Sequence, residues 1–579
     1  GANTPTQAIT VNVTDVNEAP VATAASYYLD LLPQSQTSGT ITLAGTDVDG
    51  DTLTYSIVSN GSYGTASLSG TTITYQTAAS TQSSQSESFT FKVNDGALDS
   101  SAATISIDLR TDPLYQYQWH LNNTGQTNFA TDGGTSGADM NVDAQIVAGY
   151  TGSGVTVSVI DSGLEIAHED LADNIVTGSY DFANSDNDPT TSATTGDHGT
   201  SVGGIIAARG WNKIGGRGVA PYASLVGYNL LAPGAGSTAD QIDAWGIDFS
   251  RAADVDVANM SYGADYAAGS NTFGKPNVLL TAEETALKTG TTSNRGGKGV
   301  LYVQAAGNEF SKGNAGGESG VDTTGAMAST ENWFDRRSTF PYVLQVGALN
   351  SDDIKASYST PGSSLWISGY GGENGGNQSV VNSQGYSLTS GIYKNAIMTV
   401  DQSSCSKGYV SSAYFSEYGY YKNAFQNPSG HSENPNCNYH SAFDGTSSAA
   451  PTISGAIALI LEANPSLTWR DVKHILAKTA YKLDSTRSYT RSGVNQYQWV
   501  TNAAGYNFHN WYGFGGIDVG AAINLAKTFT ANNLGTFQEG SQTLSGAINQ
   551  AMGSFNVTTH TMAYTKPSGS NNFIEYIQL

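Results

Sequence analysis

At 579 residues the chain is too long for one hydrophobic core, so two or three domains are expected. With 39% apolar residues, 67 Gly and only 13% charged residues it should fold, rich in strands and polar turns, which excludes a disordered chain. A formal charge of -24 repels nucleic-acid phosphates and anionic lipid, and sets both aside as partners.

The chain opens on Gly1 and not on an initiator Met, as expected of an excerpt from a larger precursor. No apolar run reaches the roughly 18 residues needed to span a bilayer. Cys405 and Cys437 are the only cysteines. They are too few for a disulfide scaffold or a four-cysteine zinc site, and allow either one bridge in an oxidising compartment or two free thiols. The histidines other than His198 show no zinc-binding spacing and are assigned no metal.

Residues 1–20 read as the tail of a preceding repeat and a linker. Residues 21–109 are dense in Thr, Ser and Gly and carry alternating runs such as TLTYSIV (52–58) and SFTFKVND (88–95), the pattern of an antiparallel all-β sandwich. VTDVNEAP (13–20), DVDGD (47–51) and VNDG (93–96) resemble the linker and turn signatures of bacterial cadherin-like repeats. Asp47, Asp49 and Asp51 alternate in a Gly-containing turn, either a calcium site or a solvated acidic turn.

Across 110–528 the texture changes to apolar strand runs separated by helical stretches: VTVSVI (155–160), SLVGYNL (224–230), VDVANMS (255–261), VLYVQAA (300–306) and YVLQVGA (342–348). That is the pattern of an α/β domain whose mostly parallel sheet is buried between helices. Residues 363–440, with many Gly, Ser, Asn and Tyr and little periodicity, read as long surface loops, stapled if Cys405 pairs with Cys437. Residues 529–579 begin a new segment ending in a strand-like run, FIEYIQL (573–579).

Four segments carry chemistry. VTVSVIDSG ends a buried strand on Asp161, and an acid at the carboxyl end of such a strand sits at a cleft. DHGTSVGGIIAA (197–208) places His198 at the start of a helix of small residues able to pack closely on a sheet. DGTSSAAPTISGAIALILEA (444–463) places Ser447 at a helix N-terminus, with Pro451 in the first turns. There main-chain N–H groups and the helix dipole favour developing negative charge. A serine hydroxyl becomes a nucleophile when a histidine, itself oriented by an acid, takes its proton. The fourth segment, AAGNE (305–309), is a turn after a strand in which the Asn308 amide can donate to an oxyanion.

In the chain order Asp161, His198, Asn308, Ser447 these segments resemble the subtilisin-like serine proteases of peptidase family S8. The resemblance runs from about 112 to 526 and is closest to the kexin and furin branch, through QWHLNN (118–123), LEANPSLTWRDVKHIL (461–476) and YGFGGID (512–518). It implies a secreted or cell-surface endopeptidase acting on proteins or peptides. It also implies a structural calcium ion held by Asp112, Asp170 and Asn212, with main-chain carbonyls of Arg209, Ile214 and Gly216; two carboxylates with neutral oxygens suit calcium.

For specificity the resemblance implies a wall formed by Ser261, Tyr262 and Gly263, with Asp265 just beyond it and Asp335 at the base of the S1 pocket, and so a basic P1 residue. Two positions depart from the branch. Ser162 stands where kexin-like enzymes carry a second acid for a basic P2 residue, and Tyr266 and Thr360 stand where a second calcium would have acids. A strict dibasic specificity is therefore not implied. SGSNNFIEYIQL (568–579) resembles the opening of the jelly-roll P domain that follows kexin-type catalytic domains. The competing reading is an adhesion protein, in which calcium-ordered repeats associate with a cell surface or matrix and the peptidase fold is an inert platform.

Overall fold

The computed structural model describes residues 7–12, 14–31, 37–78, 84–245, 254–263, 280–308, 310, 337–338, 340–386, 393–485, 489–491 and 494–534. The chain divides into two compact units, one of Gly1–Thr111 with Trp211–Lys213, the other of Asp112–Gly210 with Ile214–Leu579. Asp265, Tyr266 and Asp335 lie outside the described residues, as does the expected P-domain opening from residue 535 onward.

In the first unit the period-two pattern becomes a pleat. Along Gln85–Asn94, Phe89, Phe91 and Val93 are fully buried and alternate with more exposed neighbours. That strand pairs antiparallel with both Ala103–Arg110 and Thr54–Ser59, and Ala25–Asp30 completes a four-stranded sheet. Ser38–Thr42, Thr72–Thr77 and Gly64–Ser69 form a three-stranded sheet. Ile41, Ile73, Tyr75, Phe89, Phe91 and Ile105 meet in one core, the all-β sandwich expected from the alternation, except that Ala25–Asp30 pairs parallel with Ala103–Arg110 where antiparallel pairing was expected. In the DVDGD turn, oxygens of Asp47, Asp49 and Asp51 lie within 4.8 Å of one another. Asp47 Oδ1 accepts the N–H groups of Asp49 and Asp51, so the turn also closes on itself.

The second unit is built on a seven-stranded sheet. In chain order its strands are β1 (Thr156–Asp161), β2 (Tyr180–Asp181), β3 (Ser224–Asn229), β4 (Val257–Met260), β5 (Leu301–Ala305), β6 (Val343–Leu349) and β7 (Leu365–Tyr370). The spatial order is β2-β3-β1-β4-β5-β6-β7, and every pairing is parallel. Strands such as β4, β5 and β6 are buried along their whole length, which is why they read as continuous apolar runs and not as alternations.

Two helices matter for the site: α1 (His198–Ala207) and α2 (Thr446–Ala463). Both lie very close to their neighbours. In β7 a Cβ on Gly369 would stand 2.6 Å from the Ala449 carbonyl oxygen of α2, and in α2 a Cβ on Gly455 would stand 2.6 Å from Val219 Cβ. Glycine inside a strand here marks the place where a helix backbone crosses it.

The region 363–440 is not the run of long loops expected from its composition. It contains β7, the helix Gln378–Ser383, the strand β8 (Ile397–Val400) and the helix Ser412–Tyr418, and β8 pairs antiparallel with β9 (Tyr439–Phe443). Ser368 and Gly369 break the apolar signal of β7 because tight packing needs small residues there. Cys405 and Cys437 are joined, closing the 32-residue separation between them.

Candidate active site

β1 ends on Asp161, which is fully buried and whose Oδ1 accepts the Ser162 N–H at 2.7 Å. α1 begins one residue after Asp197, whose extended backbone and carboxylate cap it through Thr200, the Thr200 hydroxyl donating to Oδ2 at 2.6 Å. Asp197 is thus a supporting residue that the sequence reading missed, although an Asp just ahead of a helical run is an N-cap signature. A Cβ on Gly199 would lie 1.9 Å from the Gly163 carbonyl oxygen. Glycine lets the first turn of α1 rest directly on the turn after Asp161.

That contact brings His198 Nδ1 to 2.9 Å from Asp161 Oδ1 and 3.0 Å from Oδ2. Burial by itself would lower the imidazole pKa, but the charge of Asp161, its hydrogen bond and the charge of Asp197 outweigh it, and the net shift is upward. Burial pushes the Asp197 carboxyl up to about 6 against the hydrogen bonds from Thr200, with the charge of Asp161 adding to the rise.

Ser447 is the second residue of α2. Gly445 turns the chain into the helix at φ 112°, a conformation that suits glycine. The Ser447 hydroxyl donates to the Ser261 carbonyl at 3.1 Å, and the Ser261 hydroxyl donates to the Ser447 carbonyl at 2.9 Å. Met260 is level with Ile160 in the sheet, so Ser261 and Asp161 leave adjacent parallel strands at the same height. Phe443, just ahead of the Ser447 turn, packs its ring against His198 at 5.2 Å between centroids. Asn308 follows β5, the strand beside β4. Its Oδ1 accepts the Thr446 N–H at 2.8 Å and the Thr446 hydroxyl at 3.0 Å, which assigns the amide orientation and turns Nδ2 away from those donors.

Of the expected wall, Ser261 is buried, Tyr262 half-buried and Gly263 exposed. The Ser261 side chain faces inward, its hydroxyl accepting from Asn259 Nδ2 at 2.9 Å and donating to the Ser447 carbonyl. Tyr262 is held by Trp245 Nε1 at 3.1 Å, and the Arg337 guanidinium lies 4.6 Å from its ring centroid.

Among the expected cation ligands, Asp112 and Asp170 are both buried, at 3% and 0% exposure. The Arg217 guanidinium is 3.9 Å from Asp112. A Cβ on Gly215 would strike Asp170 Oδ2 at 2.2 Å and the Tyr439 ring at 2.4 Å, so the main chain closes tightly over that carboxylate. The Arg209 N–H donates to the Asp170 carbonyl at 2.7 Å, tying the segment after α1 to the same residue. Ile214 and Gly216 flank Gly215, and Asn212 belongs to the segment counted with the first unit. Asp112 and Asp170 each offer a buried carboxylate, the kind of oxygen donor that suits a hard divalent cation.

The sequence profile of the subtilase family matches residues 152–515, from just before β1 to beyond α2. The chain belongs to the subtilase family. A bacterial Ig domain profile matches residues 17–108, covering the sandwich; the cadherin-like resemblance of its turns is a finer reading than this match carries. Over 439 residues this subtilase is 36% identical to the Aeromonas extracellular serine protease of Aeromonas sobria, covering 72% of this chain and 64% of that one. It is 28% identical to human neuroendocrine convertase 2 over 473 residues, covering 81% and 60%. The crystal structure of the Aeromonas sobria serine protease in complex with a chaperone superposes with a TM-score of 0.61 at 33% identity, covering 73% of this chain and 68% of that one. The chain spans less than two thirds of the length of these curated relatives.

Proposed function

We propose that this subtilase is a secreted serine endopeptidase that hydrolyses peptide bonds in proteins through Asp161, His198 and Ser447. The single observation that carries the reading is the bond from His198 Nδ1 to a fully buried Asp161, in a chain that also sets Ser447 at the N-terminus of α2. Asp161 fixes the tautomer, so Nε2 is left to accept a proton. A turn of the Ser447 hydroxyl from the Ser261 carbonyl to that nitrogen starts the reaction. Oγ bonds to the scissile carbon as its proton passes to Nε2, and the carbonyl oxygen becomes an oxyanion facing Asn308 Nδ2 and the start of α2. Collapse expels the amine, which takes the proton from His198. Water, deprotonated by His198, then releases the acyl group and restores Ser447.

The burial of Asp112 and Asp170 and the tight main chain over Asp170 support a structural calcium ion, with carbonyls of Arg209, Ile214 and Gly216 completing the set. The ion would neutralise the two carboxylates and tie the start of the catalytic unit to the segment after α1. Ser261, Tyr262 and Gly263 would line the substrate, and a basic P1 preference through Asp265 and Asp335 follows from the family resemblance alone. The name of the Aeromonas relative supports secretion.

The test is labelling by a fluorophosphonate probe in calcium, comparing the unmutated protein with Ser447→Ala. Labelling confined to the unmutated protein is expected; equal labelling of both, or none in a folded sample, sinks the reading. The convergence of Asp47, Asp49 and Asp51 favours a second reading, a calcium-ordered repeat that attaches to a surface. Adhesion alone would give no turnover of a generic peptide with or without chelator.

A further inference from the structure

Lys355 is a buried cation that the proposed chemistry does not use. It is only 8% exposed. Its Nζ donates to the carbonyls of Ala356 at 2.8 Å, Ser357 at 3.4 Å and Ser359 at 3.3 Å, and stands 3.6 Å from the centroid of the Phe310 ring. A buried ammonium is tolerated when its donors are used, and here they point at main-chain oxygens of the segment that follows. Those oxygens must converge on one point, which fixes the shape of 356–359. Glu373 secures the same segment, accepting the Ser357 N–H at 2.8 Å and its hydroxyl at 2.7 Å.

This segment reaches both halves of the reaction site. The Tyr358 hydroxyl accepts the N–H of Gly445 at 2.8 Å, and Gly445 is the residue that turns the chain toward Ser447. The same hydroxyl has its own acceptors in the carbonyls of Gly371 and Gly372, at 3.0 and 2.8 Å. On the other side the Thr360 N–H donates to the Gly307 carbonyl at 3.0 Å, and the Phe310 N–H donates to the Tyr358 carbonyl at 3.2 Å. These two bonds bracket Asn308. The ring of Phe310, which covers the ammonium, belongs to the same turn.

We propose that Lys355 is a positioning residue for peptide hydrolysis: its ammonium is a resident cation that moulds 356–360, and through Tyr358 and Thr360 it holds Gly445 and Gly307 so that Ser447 and Asn308 address one oxyanion. The proposal rests on the roles given above to Ser447 and Asn308. Ser447 and Asn308 act on the reacting carbonyl and its oxyanion, so loss of the cation should lower kcat and leave KM nearly unchanged.

The experiment measures kcat and KM with a peptide ester for Lys355→Met and Tyr358→Phe, each alone and combined with Asn308→Ala, with folding followed by circular dichroism. Each single variant should lose about tenfold or more in kcat with KM held within about twofold, because a small misplacement at a reacting centre is costly. In the Asn308→Ala background the loss should shrink to under about threefold, since groups acting as a unit are not additive. Full kcat in the folded variants, or an undiminished loss in the Asn308→Ala background, overturns the proposal. If Lys355→Met does not fold, Tyr358→Phe decides by the same criteria. Ser447→Ala is measured first, because hydrolysis surviving it overturns the active-site assignment, and this proposal with it. Hydrolysis lost in Ser447→Ala but unaltered in the other variants overturns the Lys355 proposal alone.

Discussion

His198 Nδ1 lies 2.9 Å and 3.0 Å from the two carboxylate oxygens of Asp161, a shared contact made by a residue buried at the end of β1. As the proposed base, His198 works only when neutral, and the charge and hydrogen bond of Asp161 outweigh burial to raise its pKa from the ordinary 6.5. Activity should therefore be lost as pH falls through a point on the alkaline side of 6.5. Asp161→Asn should move that acid limb to lower pH and reduce kcat by about 10,000-fold, because the imidazole loses its fixed tautomer. Profiles of kcat/KM against pH for the two proteins check both effects; a limb that does not move would detach Asp161 from the histidine.

Asn308 is oriented by the residue just before Ser447, since both the N–H and the hydroxyl of Thr446 donate to its Oδ1. Asn308→Ala should lower kcat by roughly 100- to 1000-fold with little change in KM, the usual cost of losing one oxyanion donor. Thr446→Val removes only one of the two orienting bonds and should cost about tenfold. Equal losses from both variants, measured by steady-state kinetics, would mean that Thr446 acts on something other than the Asn308 amide.

The candidate catalytic residues stand out in the sequence because each sits in a local pattern with a mechanical reason: Asp161 at the end of an apolar strand, His198 before small residues, Ser447 before a long apolar helix. Their supports do not. Asp197 reads as one more acid until the cap geometry is seen, and Lys355 reads as a surface lysine until the chain returns its own carbonyls to the ammonium. β7 was hidden because its packing against α2 requires Ser368 and Gly369, which dilute the hydrophobic signal. Around Cys405 and Cys437 the backbone is held by side-chain bonds and not by periodic structure. Asp401, for example, accepts the N–H groups of Gln402, Tyr409 and Val410. No sequence period reports an anchor of that kind.

Calcium should stabilise the protein through Asp112 and Asp170, carboxylates at 3% and 0% exposure, since a bound divalent cation offsets the cost of burying their charge. At an ion concentration about a hundred times its dissociation constant the gain is about 2.7 kcal/mol. Thermal melts in calcium and in chelator should differ accordingly, and Asp170→Asn should melt at one temperature in both. A calcium response that survives Asp170→Asn would place the ion elsewhere.

Gly199 and Gly203 lie one turn apart in α1 and meet different neighbours. A Cβ at Gly199 would be 1.9 Å from the Gly163 carbonyl oxygen and 2.8 Å from Asp161 Cβ, whereas at Gly203 the nearest atom is Leu164 Cδ1 at 2.7 Å. The end of a leucine side chain can move, but the main chain beside Asp161 is fixed by the sheet. Gly199→Ala must therefore displace the first turn of α1 and part His198 from Asp161. A shift of about 1 Å at a reacting centre costs about 100-fold, so kcat/KM should fall at least that far. Gly203→Ala should stay within about tenfold, its strain partly offset by a gain of roughly 1 kcal/mol in helix propensity. Because both substitutions improve intrinsic helix propensity equally, a selective loss in Gly199→Ala, with circular dichroism unchanged, isolates the placement of His198. Equal activities would show that the turn after Asp161 can yield.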